Sequence, residues 1–156
     1  MDLTIDVEGY KLNIRVAGII IHNNMILLHK NMNKEYYTII GGRVKIGEDS
    51  KKALKRELEE ELGKEVCVGE FWGVIENFFI KDNIKYHEII FIYRAEFKNK
   101  TDRLLNYTIK NNENKSYLNY YWIDINKLND YTIVPNAIKK VFEEKKYPFS
   151  KIVHDI

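Results

Sequence analysis

The apolar positions of this chain change their period twice. From Lys11 to Ile21 the residues are β-branched and apolar, Asn23-Asn24 is turn-like, and Met25 to Leu28 resumes the apolar pattern, which predicts a hairpin. Tyr36 to Ile40 predicts another short strand, stopping at Gly41-Gly42, where backbone freedom replaces side-chain packing. The period then becomes helical, because Leu54, Leu58 and Leu62 recur every fourth residue and share one face of a helix from Ser50 to Leu62. Asp49 or Ser50 can cap its start, and Gly63 can close its end in a left-handed conformation. Val66 to Ile80 and Ile84 to Phe97 are rich in aromatic and β-branched residues, with Lys81-Asp82-Asn83 between them, so a second, longer hairpin is predicted. Asp102 to Lys115 is polar and asparagine-rich, an expected exposed loop, and Tyr117 to Asp124 returns to strand character. Pro135 can open a final helix with Ile138, Val141 and Phe142 as its apolar face. Strands on both sides of a helix predict a mixed sheet covered by helices, an α/β layered domain.

Composition narrows the class. A chain of 156 residues encloses one substantial core, so residues 1–156 are expected to form a single domain. Apolar residues at 45% exclude an intrinsically disordered chain. The net charge of +2 comes from 25 interspersed bases and 23 acids, which gives no long-range field for nucleic acid or membranes. Any anionic partner must be held locally. Cys67 is the sole cysteine, which excludes an intrachain disulfide and suits a reducing compartment. The first residues carry acids where a secretory signal carries bases, and the apolar run Val16 to Ile21 is too short to span a bilayer. A cytoplasmic protein, monomeric or homodimeric, is expected.

The stretch from Gly42 to Gly63 carries the chemistry. Glu57, Glu60 and Glu61 stand at i, i+3 and i+4 and project from neighbouring positions on one side of the helix. Two unit charges about 5.5 Å apart repel by roughly 3 kcal/mol at an effective dielectric near 20, so partial burial calls for a counter-charge. A solvated charged face is the bland alternative, and it fits badly here. Lys51, Lys52 and Lys55 come early in the helix while Glu59, Glu60 and Glu61 come late, which opposes the helix dipole, and Glu57 with Glu61 adds a like-charge pair. Only Glu60 with Lys64 has the favourable order. Oxygen-only ligands point to a hard cation, Mg²⁺ above all, which bridges carboxylates to phosphate oxygens. The substrate is then expected to be a phosphate ester or anhydride. Gly41 and Gly42, just upstream, let backbone approach a ligand closely.

Gly42, Glu48, Arg56, Glu57, Leu58, Glu60, Glu61 and Gly63 stand in the spacing of the Nudix box, GX5EX7REUXEEXGU, where U is a bulky aliphatic residue. The chain thereby resembles the MutT-like Nudix hydrolases. A chance match at the other positions is on the order of one in a million or less. The closing aliphatic position is Lys64, which changes the packing expected just beyond the helix, and Ile40 stands where many relatives have proline. Weaker similarity runs through YYTIIGG, YHEIIFIYRAEF and YYWIDINKL.

The resemblance implies a Nudix fold, an α/β/α sandwich, with Mg²⁺ or alternatively Mn²⁺ as cofactor, and hydrolysis of nucleoside diphosphates linked to another group. By motif position it implies Glu57, Glu60 and Glu61 as metal ligands, with the Gly41 carbonyl as an additional donor. It implies Arg56 and Glu48 as an orienting ion pair that keeps Glu57 aimed. A further carboxylate from outside the box often assists, for which Glu76, Glu88 and Glu113 are the candidates. Arg15, Lys30, Arg43 and Gly42 are candidate substrate contacts by their position beside the glycine pair and first hairpin. Trp72, Phe78, Tyr86 and Trp122 are candidate base-stacking residues, while His22, His29 and His154 show no metal-ligand spacing and read as surface or structural.

Between Ile75 and Asn83 the chain lacks the tyrosine or proline that marks dinucleoside polyphosphate or ADP-ribose subfamilies. A nucleoside triphosphate, deoxy or ribo, or related small nucleotide is expected by elimination. The rivals are an ADP-sugar or dinucleoside polyphosphate hydrolase and a nucleotide-sensing domain of the same fold with little turnover. An isoprenoid diphosphate isomerase lacks a counterpart for its cysteine chemistry around Cys67, and messenger-RNA decapping lacks a basic surface run.

Overall fold

A computed structural model describes the backbone of residues 1–104, 107–110 and 117–155. Along the chain, β1 (Thr4–Val7), β2 (Tyr10–His22), β3 (Met25–Asn31), β4 (Tyr37–Thr38) and β5 (Ile40–Arg43) precede helix α1 (Ser50–Leu62). Then come β6 (Val66–Lys81), β7 (Ile84–Phe97), β8 (Tyr107–Lys110), β9 (Tyr117–Asp124), β10 (Ile133–Val134), helix α2 (Ala137–Glu144) and β11 (Phe149–Asp155). Short 3-10 turns occupy Lys100–Leu104 and Ile125–Asp130.

The strands form a curled mixed sheet with two leaves. In one, β2 runs parallel to β7 and antiparallel to β5, β7 pairs antiparallel with β6, and β11 adds parallel to β6. In the other, β3 lies between β4 and β9, with β10 parallel to β4 and β8 antiparallel to β9. The leaves meet at the tip of the first hairpin, where only Ile21 with Ile26 and His22 with Met25 are paired. The hairpin expected from sequence is present at that tip, and burial explains why its two strands then part. Val16, Ala17, Ile19 and Ile20 on β2, and Ile26, Leu27 and Leu28 on β3, are buried on both faces, so each strand needs its own neighbours on both edges.

Strand alternation sends side chains into two cores. Val16, Ile20 and Leu27 meet Ala53, Leu54, Leu58 and Leu62 of α1. Ala17, Ile19, Ile26 and Leu28 meet Ile138, Val141 and Phe142 of α2 on the opposite face. The result is the expected α/β/α layering. Helix α1 has its predicted limits: the Asp49 side chain accepts from the Lys52 amide at 2.9 Å, and Gly63 closes the helix at φ 64°. Gly18 lets the helix sit low, since a Cβ there would stand 3.0 Å from Leu58 Cδ1.

Three expectations are corrected. The strand does not stop at the glycine pair, because β5 runs through Gly41 and Gly42 opposite Ala17 and Val16. A Cβ on Gly41 would collide with the Val16 carbonyl, so that glycine serves close strand approach, not a turn. The expected loop at 102–115 contains β8, whose Tyr107-Thr108-Ile109 run favours strand despite its polar flanks, while 105–106 and 111–116 lie outside the described residues. Strands β1 and β10 are only four and two residues long, β11 mixes polar and apolar residues, and all three are found only in the structure. Lys64, at the position where the motif has an aliphatic residue, reaches Asp102 at 3.7 Å instead of Glu60.

Leu58 is fully buried between α1 and β2, and its truncation leaves a cavity under the helix that carries the carboxylates. Leu58→Ala is expected to lower the unfolding free energy by about 2–5 kcal/mol in urea titration. A loss below about 0.5 kcal/mol would show that α1 does not depend on this contact.

Candidate active site

Two elements present the acidic groups: the second half of α1 and the loop from Arg43 to Asp49 that leads into it. Arg56 joins them. Its Nε and Nη2 donate to the two carboxylate oxygens of Glu48 at 2.8 Å each, its Nη2 donates to the Arg43 carbonyl at 3.1 Å, and its Nη1 donates to Glu57 Oε1 at 2.8 Å. Glu48 also accepts from the Lys45 amide at 3.1 Å. The predicted Arg56 and Glu48 pair is therefore present as a two-pronged ion pair that pins the loop to the helix and steadies Glu57.

Glu57 is the most enclosed of the three carboxylates, with its side chain 17% exposed, and it lies against Gly42, where a Cβ would overlap its oxygens. Burial pushes its pKa above the ordinary carboxylate range despite the opposing hydrogen bond from Arg56, and Glu61 and Glu60 push the same way. Glu61 is held from the other leaf: Tyr120 donates to its Oε2 at 3.3 Å, and His29 Nδ1 comes within 3.7 Å of the same oxygen. Glu60 is 60% exposed and meets the edge of Arg56 at 3.5 Å. Among the described residues, no three acidic, histidine or cysteine side chains close around a single point. A partly buried, incompletely compensated Glu57 beside Glu61 is the observation that fits a cation.

Next to the carboxylates, between the two leaves, lies a cleft of about 590 Å³. His29 and Arg43 belong to both places. Arg15 and Arg43 face each other across the β2 and β5 pairing and line the cleft with Lys34. Lys30 is not brought there. It lies on the opposite face of β3 from His29 and sits 5.7 Å over the Tyr37 ring. Of the four aromatic candidates, Tyr86 alone lines the cleft, stacked on Phe79 at 4.7 Å, and Phe79 went unremarked in the sequence. Trp72 packs on Phe142 beside a second cavity of about 560 Å³ that shares no residue with this site. Phe78 stacks between His87 and His154, and Trp122 meets His22 edge-on.

The candidates for a fourth carboxylate separate cleanly. Glu76 pairs with His87 at 3.0 Å away from the cleft, Glu88 is 4% exposed in the cleft floor, and Glu113 lies outside the described residues. His29, read as surface or structural, is instead a cleft residue against Glu61. Its position two residues beyond Leu27 continues the row that faces α1, which is the signal that finds it.

The NUDIX domain family model matches residues 12–144, so the chain belongs to the Nudix family. It is 39% identical over 70 residues to the 8-oxo-dGTP diphosphatase of Buchnera aphidicola subsp. Schizaphis graminum, a match covering 42% of this chain and 54% of that protein. The chain thus matches about half the length of that relative. Its fold is that of a NUDIX hydrolase from Nitrosomonas europaea (TM-score 0.64, 18% identity, 92% of this chain and 79% of that one). It is likewise that of a MutT protein from Methanosarcina mazei Go1 (TM-score 0.58, 21% identity, 89% and 95%).

The Arg56 bridge holds the Glu48 carboxyl at about 2, down from 4.5, chiefly through the guanidinium hydrogen bond, with the Lys45 amide helping and burial opposing. A depressed acid stabilises the fold fully above the unfolded value of 4.5, and that contribution is lost as pH falls toward 2. Glu48→Gln is expected to lower stability by about 1–3 kcal/mol at pH 7 and to flatten the stability profile between those two values. Urea unfolding at stepped pH checks this, and parallel profiles for variant and wild type would refute it.

Proposed function

We infer that this chain hydrolyses the pyrophosphate bond of a nucleoside diphosphate derivative, with a nucleoside triphosphate or related small nucleotide as substrate and a divalent metal as cofactor. Nudix hydrolases generally need a divalent metal, and Mg²⁺ is the ion proposed here, with Mn²⁺ as its substitute. The observation that carries this is the pairing of partly buried Glu57 and Glu61 on one helical turn beside an arginine-flanked cleft. Glu57, Glu60 and Glu61, with the Gly41 carbonyl, would hold the metal. When bound, a divalent cation supplies positive charge where the anhydride oxygens become more negative and makes water more acidic.

The remaining work falls to this chain's own groups. Arg15 and Arg43 draw the polyphosphate to the mouth of the cleft by charge. Arg56, held by Glu48, keeps Glu57 directed and leaves Gly42 in contact with it. Tyr120 performs the same positioning for Glu61, with the His29 ring close beside it. Phe79 and Tyr86 form a flat apolar wall beside which a nucleobase can lie. Among the described residues no helix is long and apolar enough to cross a membrane. We place the enzyme in the cytoplasm, in keeping with its single cysteine, acting on a small molecule as a monomer or homodimer.

Glu60 is exposed, so its substitution tests chemistry apart from folding. Glu60→Gln is expected to reduce turnover of nucleoside triphosphates with Mg²⁺ by about 100-fold or more, which equals about 2.7 kcal/mol of transition-state stabilisation. Its stability should stay within about 0.5 kcal/mol of wild type. Nucleotide binding with negligible turnover in both forms would make the protein a sensor, and AMP released from ADP-ribose as the dominant activity would replace the triphosphate as substrate.

A further inference from the structure

The floor of the cleft is built from three polar residues in a row. Asn13 on β2 is paired in register with Glu88 on β7, and Glu88 with Asn77 on β6. They are 1%, 4% and 3% exposed, and all three line the cleft. Strand alternation places them on the core-facing side, in line with Ala17, Ile90 and Ile75. Asn13 Nδ2 donates to Glu88 Oε2 at 2.9 Å, and Arg15 Nη1 lies 3.7 Å from the same oxygen. The Asn13 bond fixes the orientation of its amide and turns its oxygen away from the carboxylate. Among the described residues, that oxygen and the Asn77 Oδ1 are both buried without a hydrogen-bond partner. Buried polar groups in native structures nearly always have partners, so two orphaned acceptors flanking a buried carboxylate call for an external donor.

We propose that the Asn13, Glu88 and Asn77 row is a specificity determinant that reads the N–H edge of a guanine-type base, with Glu88 accepting from the ring N1–H and the exocyclic N2 amino group. This rests on the nucleotide reading given above and adds which base it takes. The match is one of donor and acceptor count. The guanine edge offers two adjacent N–H donors to a carboxylate and a third hydrogen on the amino group for a neighbouring amide oxygen. Adenine and cytosine offer a single amino group beside a bare ring nitrogen, which faces a carboxylate lone pair to lone pair. Uracil places a carbonyl on each side of its one N–H. Each of these leaves an acceptor opposed to an acceptor in a desolvated site, which is how a polar pocket rejects a near isostere. The Phe79 and Tyr86 ring pair stands two residues along from Asn77 and Glu88 on the same face, so the wall adjoins the floor.

The discriminating substrate is inosine triphosphate, which lacks only the N2 amino group. In wild-type protein with Mg²⁺, kcat/KM for GTP is expected to exceed that for ITP by about tenfold or more, with ATP, CTP and UTP lower still. Glu88→Gln is expected to reduce kcat/KM for GTP by about 10- to 100-fold, the range a charge-assisted hydrogen bond supplies, and to bring GTP and ITP together. Equal kcat/KM for GTP, ITP and ATP in the wild type, or an undiminished GTP preference in a folded Glu88→Gln, would overturn the proposal. Should Glu88→Gln not fold, Asn77→Leu removes one acceptor at similar volume, and it is expected to narrow the GTP to ITP ratio. An unchanged ratio there counts against the proposal. A metal-free thermal shift separates recognition from hydrolysis: GMP should raise Tm more than IMP or AMP. Selective stabilisation by GMP with no nucleotide hydrolysed would sink the hydrolase reading and leave the base recognition standing. Hydrolysis without base preference would do the reverse.

Discussion

The guanidinium of Arg56 is the constraint on which the site depends. One planar group closes a salt bridge to the entering loop, holds a backbone carbonyl of β5 and reaches the carboxylate of the next residue in its own helix. Lysine has the charge but not the fork, so it cannot meet three acceptors in one plane. Val44 buries the same loop in the core shared with Leu54 and Leu58, but an apolar contact gives Glu57 no direction. The bridge works because α1 is already held low on the sheet by Leu54, Leu58 and Leu62, opposite a β2 glycine that leaves room for them. Packing sets the distance, and the ion pair sets the direction.

Much of the fold was legible in the sequence wherever one periodicity dominated. The α1 limits follow from the leucine spacing and both caps, and the long second hairpin follows from aromatic and β-branched runs either side of Lys81-Asp82-Asn83. Legibility failed where partners are distant in sequence. Nothing local in β2 and β3 says that they part after two pairs, since that is decided by β7 and β9 lying far downstream. The glycine pair misled for a related reason: an absent side chain reads equally well as a turn or as a close approach, and only the Val16 carbonyl and the Glu57 carboxylate show which.

The site divides in the same way. Carboxylates and their arginine share one helix and one loop, so helical spacing grouped Glu57, Glu60 and Glu61, and the resemblance to the Nudix box added Glu48 and Arg56. The cleft draws residues from β2, β3, β4, β5, β6, β7, β10 and β11, and no one spacing relates them. Lys30 was misplaced by one residue of strand parity, with His29 occupying the inward position. Parity also held an unused signal. Asn13, Asn77 and Glu88 each extend a row of core-facing apolar residues, and a polar side chain on such a row is either satisfied by a partner or waiting for one.

The two ends of the cleft then obey one rule. At the helix end, carboxylates crowd late in α1, where the dipole disfavours them, and burial raises Glu57 in spite of Arg56, so that end lacks positive charge. At the floor, a carboxylate and two amide oxygens gather with one internal hydrogen bond among them, so that end lacks donors. A protein selected for stability alone would have replaced either cluster with apolar residues of similar volume, since buried ionic groups seldom improve stability over a packed hydrocarbon. Their joint presence around one cleft, with Arg43 and His29 shared between its two ends, suits one kind of occupant: a molecule with anionic oxygens at one end and N–H groups at the other, long enough to complete both.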